Sequence, residues 1–135
     1  MLRAEPLRWA AIDGSLADAG SAETTLYATI SADWSSNFEW RSGKLSSEER
    51  RRLSKYVSQA HVRGRHIRFW AIPDRVDAWE LMYDEGVDMI NTNKLADLEA
   101  FLRRQTIESS LMRRLQRLFR PASTPASFDG ARVWR

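Results

Sequence analysis

Apolar and polar positions along the chain switch between two spacings, the alternation of a strand and the three-to-four-residue repeat of a helix. Residues 66–71 (HIRFWA) are rich in β-branched and aromatic side chains, which predicts a short strand that ends before Pro73. An apolar stripe at helical spacing follows, formed by Val76, Trp79 and Tyr83. Asp74 is a favourable N-cap for this helix, and Gly86 is a favourable residue to end it.

Two further strand–helix units flank this one. Residues 87–90 predict the next strand. The helix after it has an apolar stripe of Leu95, Leu98, Phe101 and Leu102. Upstream, residues 26–30 alternate as a strand does, and Ser46 with Glu49 has the spacing of a capping box. The buried stripe of the helix that this box begins is Leu53, Tyr56, Val57 and Ala60.

This alternation of strands and helices predicts an α/β fold with parallel strands joined by right-handed crossovers. A doubly wound sheet and a (β/α)8 barrel both have this pattern, and a closed barrel needs about 250 residues. Residues 8–12 are a candidate for a fourth strand, so the chain could supply about half of a barrel. Half a barrel would expose two strand edges and one sheet face, which favours self-association.

The pattern changes at residue 106. Residues 106–120 predict a basic amphipathic helix, with apolar positions at Ile107, Leu111, Leu115 and Leu118. Its polar side is formed by Arg113, Arg114, Gln116 and Arg117. The segment from Ile107 to Phe119 could therefore bind an anionic membrane surface, or its apolar side could pack under the preceding domain. Residues 121–135 follow as a linker-like stretch that we expect to be disordered.

Composition and charge exclude several classes of protein and of site. The net charge is +3, but residues 103–135 carry eight basic and two acidic side chains, so the preceding body is mildly acidic. Nucleic-acid binding by that body is not expected, because phosphate contacts require clustered cations. There is no cysteine, which excludes disulfides, thiolate zinc sites and cysteine nucleophiles. Neither a signal peptide nor a transmembrane segment is expected, and the compartment stays open.

In α/β barrels the functional groups lie at the carboxyl ends of the strands, which selects three places here. The loop of residues 31–43 contains Asp33, Trp34 and Trp40, whose rings could wall a pocket for a sugar or lipid head group or simply fold the loop onto the rim. In the next strand Arg68 and Trp70 share one face. Arg68 would need a carboxylate partner or a phosphate there.

The third place is the end of the last strand. Asn91 could face the pocket, whereas Thr92 and Asn93 are better explained as caps of the following helix. The two histidines, His61 and His66, fall late in a helix and at the amino end of a strand, so we interpret both as structural or surface residues. The sequence has no metal-ligand spacing and no Gly-rich phosphate loop.

Residues 68–74 (RFWAIPD), Trp79 and residues 86–93 (GVDMINTN) resemble a known family. They are similar to the C-terminal end of bacterial phosphatidylinositol-specific phospholipase C-like and glycerophosphodiester phosphodiesterase-like proteins. The resemblance extends, more loosely, over about residues 8–102. It implies that residues 1–105 are the C-terminal three to four βα units of a (β/α)8 TIM barrel that cleaves phosphodiester bonds in glycerophosphodiesters or phosphoinositides.

The resemblance also implies what this chain lacks. Family members use two histidines as general acid and base, the first in a His-Arg-Gly-type motif, and some bind a divalent cation on acidic residues near the first strands. No such motif occurs here, so the chain is expected to be a fragment with no catalytic residue and no cofactor of its own. Asn93 stands where the family has aspartate, and residues 41–44 replace a more glycine-rich stretch.

Overall fold

The computed structural model describes residues 11–23 and 26–118 of the chain, in which strands and helices alternate. The strands are β1 (Ile12–Gly14), β2 (Tyr27–Asp33), β3 (His66–Trp70) and β4 (Met89–Ile90). The helices are α1 (Trp34–Asn37), α2 (Ser47–Val62), α3 (Val76–Asp84) and α4 (Leu95–Leu118), and a short 3-10 turn covers Leu16–Asp18. The chain divides into two compact units, Met1–Ala100 and Phe101–Arg135.

All four strands belong to one parallel sheet in the order β1-β2-β3-β4, which confirms the α/β prediction. The strand order follows the chain order without a reversal. A strand is present next to the predicted segment 8–12, but β1 covers Ile12–Gly14, and residues 1–10 lie outside the described range. The sheet therefore holds three βα units and a preceding strand.

The two faces of the sheet differ in what covers them. One face is covered by α1, α2 and α3. The side chains buried there are Ile30, Ala32, Ile67 and Phe69. We call the opposite side the open face, because none of α1, α2 and α3 packs on it. By the strand register, the open face carries Asp13, Thr29, Ser31, Asp33, His66, Arg68, Trp70 and Met89.

The predicted cap of α2 is confirmed in part. Ser46 is the N-cap, and its hydroxyl accepts the Glu49 N–H at 3.2 Å. The Glu49 carboxylate instead accepts the N–H groups of Glu39 and Trp40 at 2.8 and 3.1 Å. Burial acts to raise the pKa of Glu49, but hydrogen bonds from Ser46, Glu39 and Trp40 hold it below the usual range. The carboxylate thus ties the loop after α1 to the start of α2.

The predicted cap of α3 is wrong. Arg75 occupies the N-cap position and makes no side-chain cap bond. Asp74 turns instead toward the loop after β4, where its carboxylate accepts the Asn93 N–H at 3.2 Å. A hydrogen bond from the Thr92 hydroxyl is the main reason that the pKa of Asp74 lies below its usual range. The carboxylate prefers these donors because several of them converge on it, whereas a cap would offer one amide.

The second unit begins within α4, at Phe101. Helix α4 continues from Leu95 to Leu118 without a break at the predicted boundary of 106. Its apolar side chains Ile107, Leu111, Met112 and Leu115 are exposed. Phe119 and the predicted disordered segment 121–135 lie outside the described residues. Membrane-surface binding by this helix stays a prediction. Within the described residues, no helix combines the length and apolar character needed to cross a bilayer.

Candidate functional site

Arg68 lies in the middle of β3 on the open face and is held by two neighbours. Its Nε donates to the Ser31 hydroxyl at 2.8 Å, and its Nη2 lies 3.2 Å from the Asp13 carboxylate. The Ser31 hydroxyl in turn donates to the same Asp13 carboxylate at 3.1 Å. We call Asp13, Ser31 and Arg68 the Arg68 triad. The carboxylate partner expected for an arginine at this position is therefore present within the chain.

Strand register brings the Arg68 triad together. Ser31 pairs directly with Arg68 across β2 and β3, while Asp13 pairs with Thr29 across β1 and β2. A register shift between Ile12 and Asp13 turns the Asp13 side chain onto the open face. The side chains of Arg68 and Asp13 keep 37% and 56% of their surface exposed, so a dissolved anion can reach the guanidinium.

Three of the sequence-predicted residues gather at the carboxyl edge of the sheet. Asp33 pairs with Trp70 across β2 and β3, and Asn91 follows directly after β4, which pairs with β3. The Trp70 side chain is 46% exposed. The Asp33 carboxylate accepts hydrogen bonds from the hydroxyl and the N–H of Ser35. The bond from the Ser35 hydroxyl is the main reason that the pKa of Asp33 is lowered. Asp33 therefore stays ionised as the cap of α1.

The other two predicted residues, Trp34 and Trp40, lie in the core. Their exposed fractions are 0% and 5%. Trp34 stacks on Phe38 with ring centroids 4.2 Å apart and donates its ring N–H to the Trp40 carbonyl at 3.1 Å. The Trp40 ring N–H donates to the Gly43 carbonyl at 2.9 Å. The sequence left two roles open for these tryptophans, a pocket wall or a fixed loop, and the structure has them folding the loop onto the rim. Contact of either ring with a ligand stays a prediction.

The backbone turns sharply where β3 ends. Ala71 has φ of 57°, a left-handed conformation that costs a non-glycine residue roughly 1–2 kcal/mol. This turn lets Trp70 stay on the open face while Ile72 is buried. Strained backbone of this kind persists where the surrounding structure holds it, and it is frequent at functional sites.

A polar cavity of about 500 Å³ lies beside the loop after α1. It is lined by Ser35, Ser36, Asn37, Phe38, Glu39, Ser46, Glu48, Glu49 and Arg52. The Arg52 guanidinium sits over the Phe38 ring at 5.3 Å and donates to the Asn37 carbonyl at 2.9 Å. Three carboxylates against one guanidinium make the lining acidic, so this cavity is poorly suited to an anion.

A second polar cluster lies at the amino edge of the sheet, and no sequence signal pointed to it. His61 Nε2 lies 2.9 Å from Asp88 Oδ2, and His66 Nδ1 lies 3.7 Å from Asp88 Oδ1. The Ile67 N–H also donates to Asp88 at 2.8 Å. The structure thus joins both histidines to one carboxylate at the end opposite Trp70. Among the described residues, no group of three such side chains could hold a metal ion.

Asp88 is expected to make the fold sensitive to acid. Burial acts to raise its pKa, but hydrogen bonds from Ile67 and His61 and the histidine charges hold the pKa below its usual value of about 3.9. A lowered folded-state pKa contributes stability above the unfolded pKa, and this stability is lost as the pH falls through the folded pKa. Urea unfolding between pH 6 and 2.5 should show a shallower acid decline for Asp88→Asn than for the wild type.

The control for this prediction is Asp84→Asn, which removes an exposed carboxylate that makes no hydrogen bond among the described residues. Its acid decline should match that of the wild type. An unchanged decline for Asp88→Asn would show that Asp88 does not contribute to the acid sensitivity.

No protein-family model, curated protein or solved structure significantly matches the chain. A guanidinium beside a hydroxyl and a half-exposed indole can bind an anionic group and an adjacent flat or apolar group. Both histidines approach Asp88 at the amino edge, and His66 shares the open face with Arg68, two residues before it on β3.

Proposed function

We propose that the chain is the C-terminal part of a (β/α)8 barrel of the phosphoric diester hydrolase type, acting on glycerophosphodiesters or phosphoinositides. In this proposal it lines the substrate pocket and does not carry the proton-transfer groups. The observation that carries the proposal is the Arg68 triad, which places a guanidinium on the sheet face that α1, α2 and α3 do not cover, on the same strand as Trp70.

The barrel part of the proposal is supported by the sheet. In a (β/α)8 barrel the strands are parallel, follow chain order and carry their helices on the outer face. The four strands here are parallel and sequential, and α1, α2 and α3 pack on one face. A doubly wound sheet would reverse its strand order and carry helices on both faces. The open face then corresponds to the inner wall of a barrel.

The phosphodiester part is supported by the donors that Arg68 presents. Its Nε and Nη2 are engaged by Ser31 and Asp13, whereas its Nη1 makes no hydrogen bond among the described residues. A guanidinium binds phosphate oxygens with two parallel N–H groups, which a single-point cation cannot match. Trp70, two residues along the same strand, offers an exposed ring to the organic part of a diester.

The proposal assigns catalysis to the part of the barrel that this chain does not contain. General acid–base transfer needs groups within hydrogen-bond reach of the reacting oxygens. His61 and His66 are bound to Asp88 at the opposite edge of the sheet from Trp70 and Asn91. We therefore expect the histidine pair, and any divalent cation, to belong to the first half of the complete barrel.

A binding experiment tests this function. The 135-residue protein is titrated with glycerophosphocholine and with inositol 1-phosphate while NMR shifts of the Arg68 and Trp70 signals are followed. Arg68→Met should weaken binding about 10- to 100-fold, since a charge-assisted hydrogen bond contributes about 1.5–3 kcal/mol. Arg51→Met is the matched control, because it removes an exposed guanidinium on α2, and it should leave binding unchanged.

Two results would contradict the proposal. If Arg68→Met and Arg51→Met weaken binding equally, the interaction is general charge attraction and does not involve the open face. If the purified chain hydrolyses a glycerophosphodiester, the assignment of catalysis to a missing half is wrong.

A further inference from the structure

The open face carries its charged groups at two levels along β2 and β3. At the lower level Ser31 pairs with Arg68, whose guanidinium provides a positive charge. At the upper level, two residues nearer the carboxyl edge, Asp33 pairs with Trp70. Two residues along a strand span about 7 Å, so the upper level lies one such step from the lower one. The two levels therefore place a site for an anion beside a site for a cation.

The upper level is suited to a cation that has no N–H group. Asp33 is ionised, since the hydrogen bond from the Ser35 hydroxyl holds its pKa below the usual range. Both bonds from Ser35 end on the same oxygen of the carboxylate, Oδ1. A quaternary ammonium group needs only the negative charge and donates no hydrogen bond of its own. The Trp70 side chain is 46% exposed, and an indole ring is the aromatic surface that attracts a cation most strongly.

The charge of the open face also favours a ligand that carries both signs. Among the described residues, the strand register places two carboxylates, Asp13 and Asp33, and one guanidinium, Arg68, on this face. The other ionisable side chain of the face, His66, approaches Asp88 at the amino edge. An inositol phosphate brings only negative charge to this face, whereas a zwitterion also brings a positive group to balance Asp33.

We propose that the diester bound on this face contains a quaternary ammonium alcohol, as a choline diester does, with its phosphate at Arg68 and its ammonium group at Asp33 and Trp70. One ester oxygen and two carbons join phosphorus and nitrogen in such a diester, a length of the same order as the step between the two levels. The inference rests on the proposed function and deepens it, because it names which of the two substrate classes the site prefers.

Two diesters that differ in one atom test this preference. Glycerophosphocholine and its 3,3-dimethylbutyl analogue, in which carbon replaces the nitrogen, have nearly the same shape, but only the first carries a positive charge. In NMR titrations at low ionic strength, the wild-type 135-residue protein should bind the choline diester about 5- to 20-fold more tightly than the analogue. This comparison uses the wild type alone, so the folding of a variant does not affect it.

Two variants test whether the cation lies at the upper level. Asp33→Asn removes the charge, while asparagine can still cap α1. Trp70→Leu removes the ring but keeps an apolar side chain. Each should lower the preference for the choline diester about 3- to 5-fold. The ratio of the two affinities isolates the cation, because a change in shape or folding weakens both diesters. The control is Asp84→Asn, which removes an exposed carboxylate on α3 and should leave the ratio unchanged.

Equal affinity of the wild type for the two diesters would overturn the inference. A choline preference that both Asp33→Asn and Trp70→Leu leave intact would also overturn it. Neither result contradicts the proposed function as long as Arg68→Met weakens both diesters more than Arg51→Met does. If the two arginine variants weaken them equally, or if the protein binds neither diester, the proposed function fails and the inference fails with it.

Discussion

Replacing Arg65 by methionine is expected to lower the free energy of unfolding by about 3–5 kcal/mol, because it removes a buried guanidinium and leaves its hydrogen-bond partners unsatisfied. Arg65 is 2% exposed. Its guanidinium donates to the carbonyls of Asp18 and Ala19 at 2.6 and 2.9 Å. It also donates to those of Ser21 and Tyr27 at 2.8 and 3.2 Å. Methionine fills similar space but leaves four carbonyls without this donor.

Arg65→Lys should not restore the loss. A lysine presents its three donors from a single nitrogen, whereas the four carbonyls surround a planar fork. Urea unfolding followed by circular dichroism measures the change. Arg63→Met is the control, because Arg63 is an exposed arginine two residues away, and it should change stability by less than about 0.5 kcal/mol. Equal losses for both variants would refute a structural role for the carbonyl contacts.

Replacing Trp34 by alanine is expected to cost about 3–5 kcal/mol, the usual range for removing a buried large aromatic ring. Trp34 is fully buried and stacks on Phe38. Its ring also makes edge contacts with Trp40 and Phe69, with centroids 6.0 and 5.4 Å apart. The substitution removes all three ring contacts and the hydrogen bond to the Trp40 carbonyl, so the loop after β2 should detach from the sheet.

Trp70→Ala provides the contrast. Trp70 lies on the open face and is half exposed, so its loss should cost about 1 kcal/mol or less. If Trp70→Ala lowers the free energy of unfolding as much as Trp34→Ala does, the assignment of Trp34 to the core and Trp70 to the open face is wrong.

Local sequence signals predicted the order of the elements well. The strand at residues 66–71 corresponds to β3, and Ser46 caps α2 as expected. These features depend on neighbouring residues, because backbone propensity and capping act over a few positions. The exception is Asp74, whose carboxylate accepts hydrogen bonds from Thr92 and Asn93, 18 and 19 residues away, and does not cap the nearby helix. A long-range partner of this kind cannot be read from local spacing.

The candidate site was only partly predictable. Alternation along β3 indicated that Arg68 and Trp70 share a face, and the sheet confirms this. The same reasoning could not separate Trp34 from Trp70, since both are tryptophans at the carboxyl end of a strand. Trp34 is buried because its loop packs against Phe69, whereas Trp70 stays exposed just before the turn at Ala71.

The sequence by itself determined the α/β class, the strand–helix order and which face of each helix is apolar, because periodicity is a property of consecutive residues. The tertiary structure alone decided which distant groups meet. Asp13 reaches Arg68, and Arg65 reaches the carbonyls near Asp18, across separations of 55 and 47 residues. His61 meets Asp88 across 27 residues. These long-range contacts follow from strand register and crossover geometry, which the pattern of apolar and polar residues along the sequence does not encode.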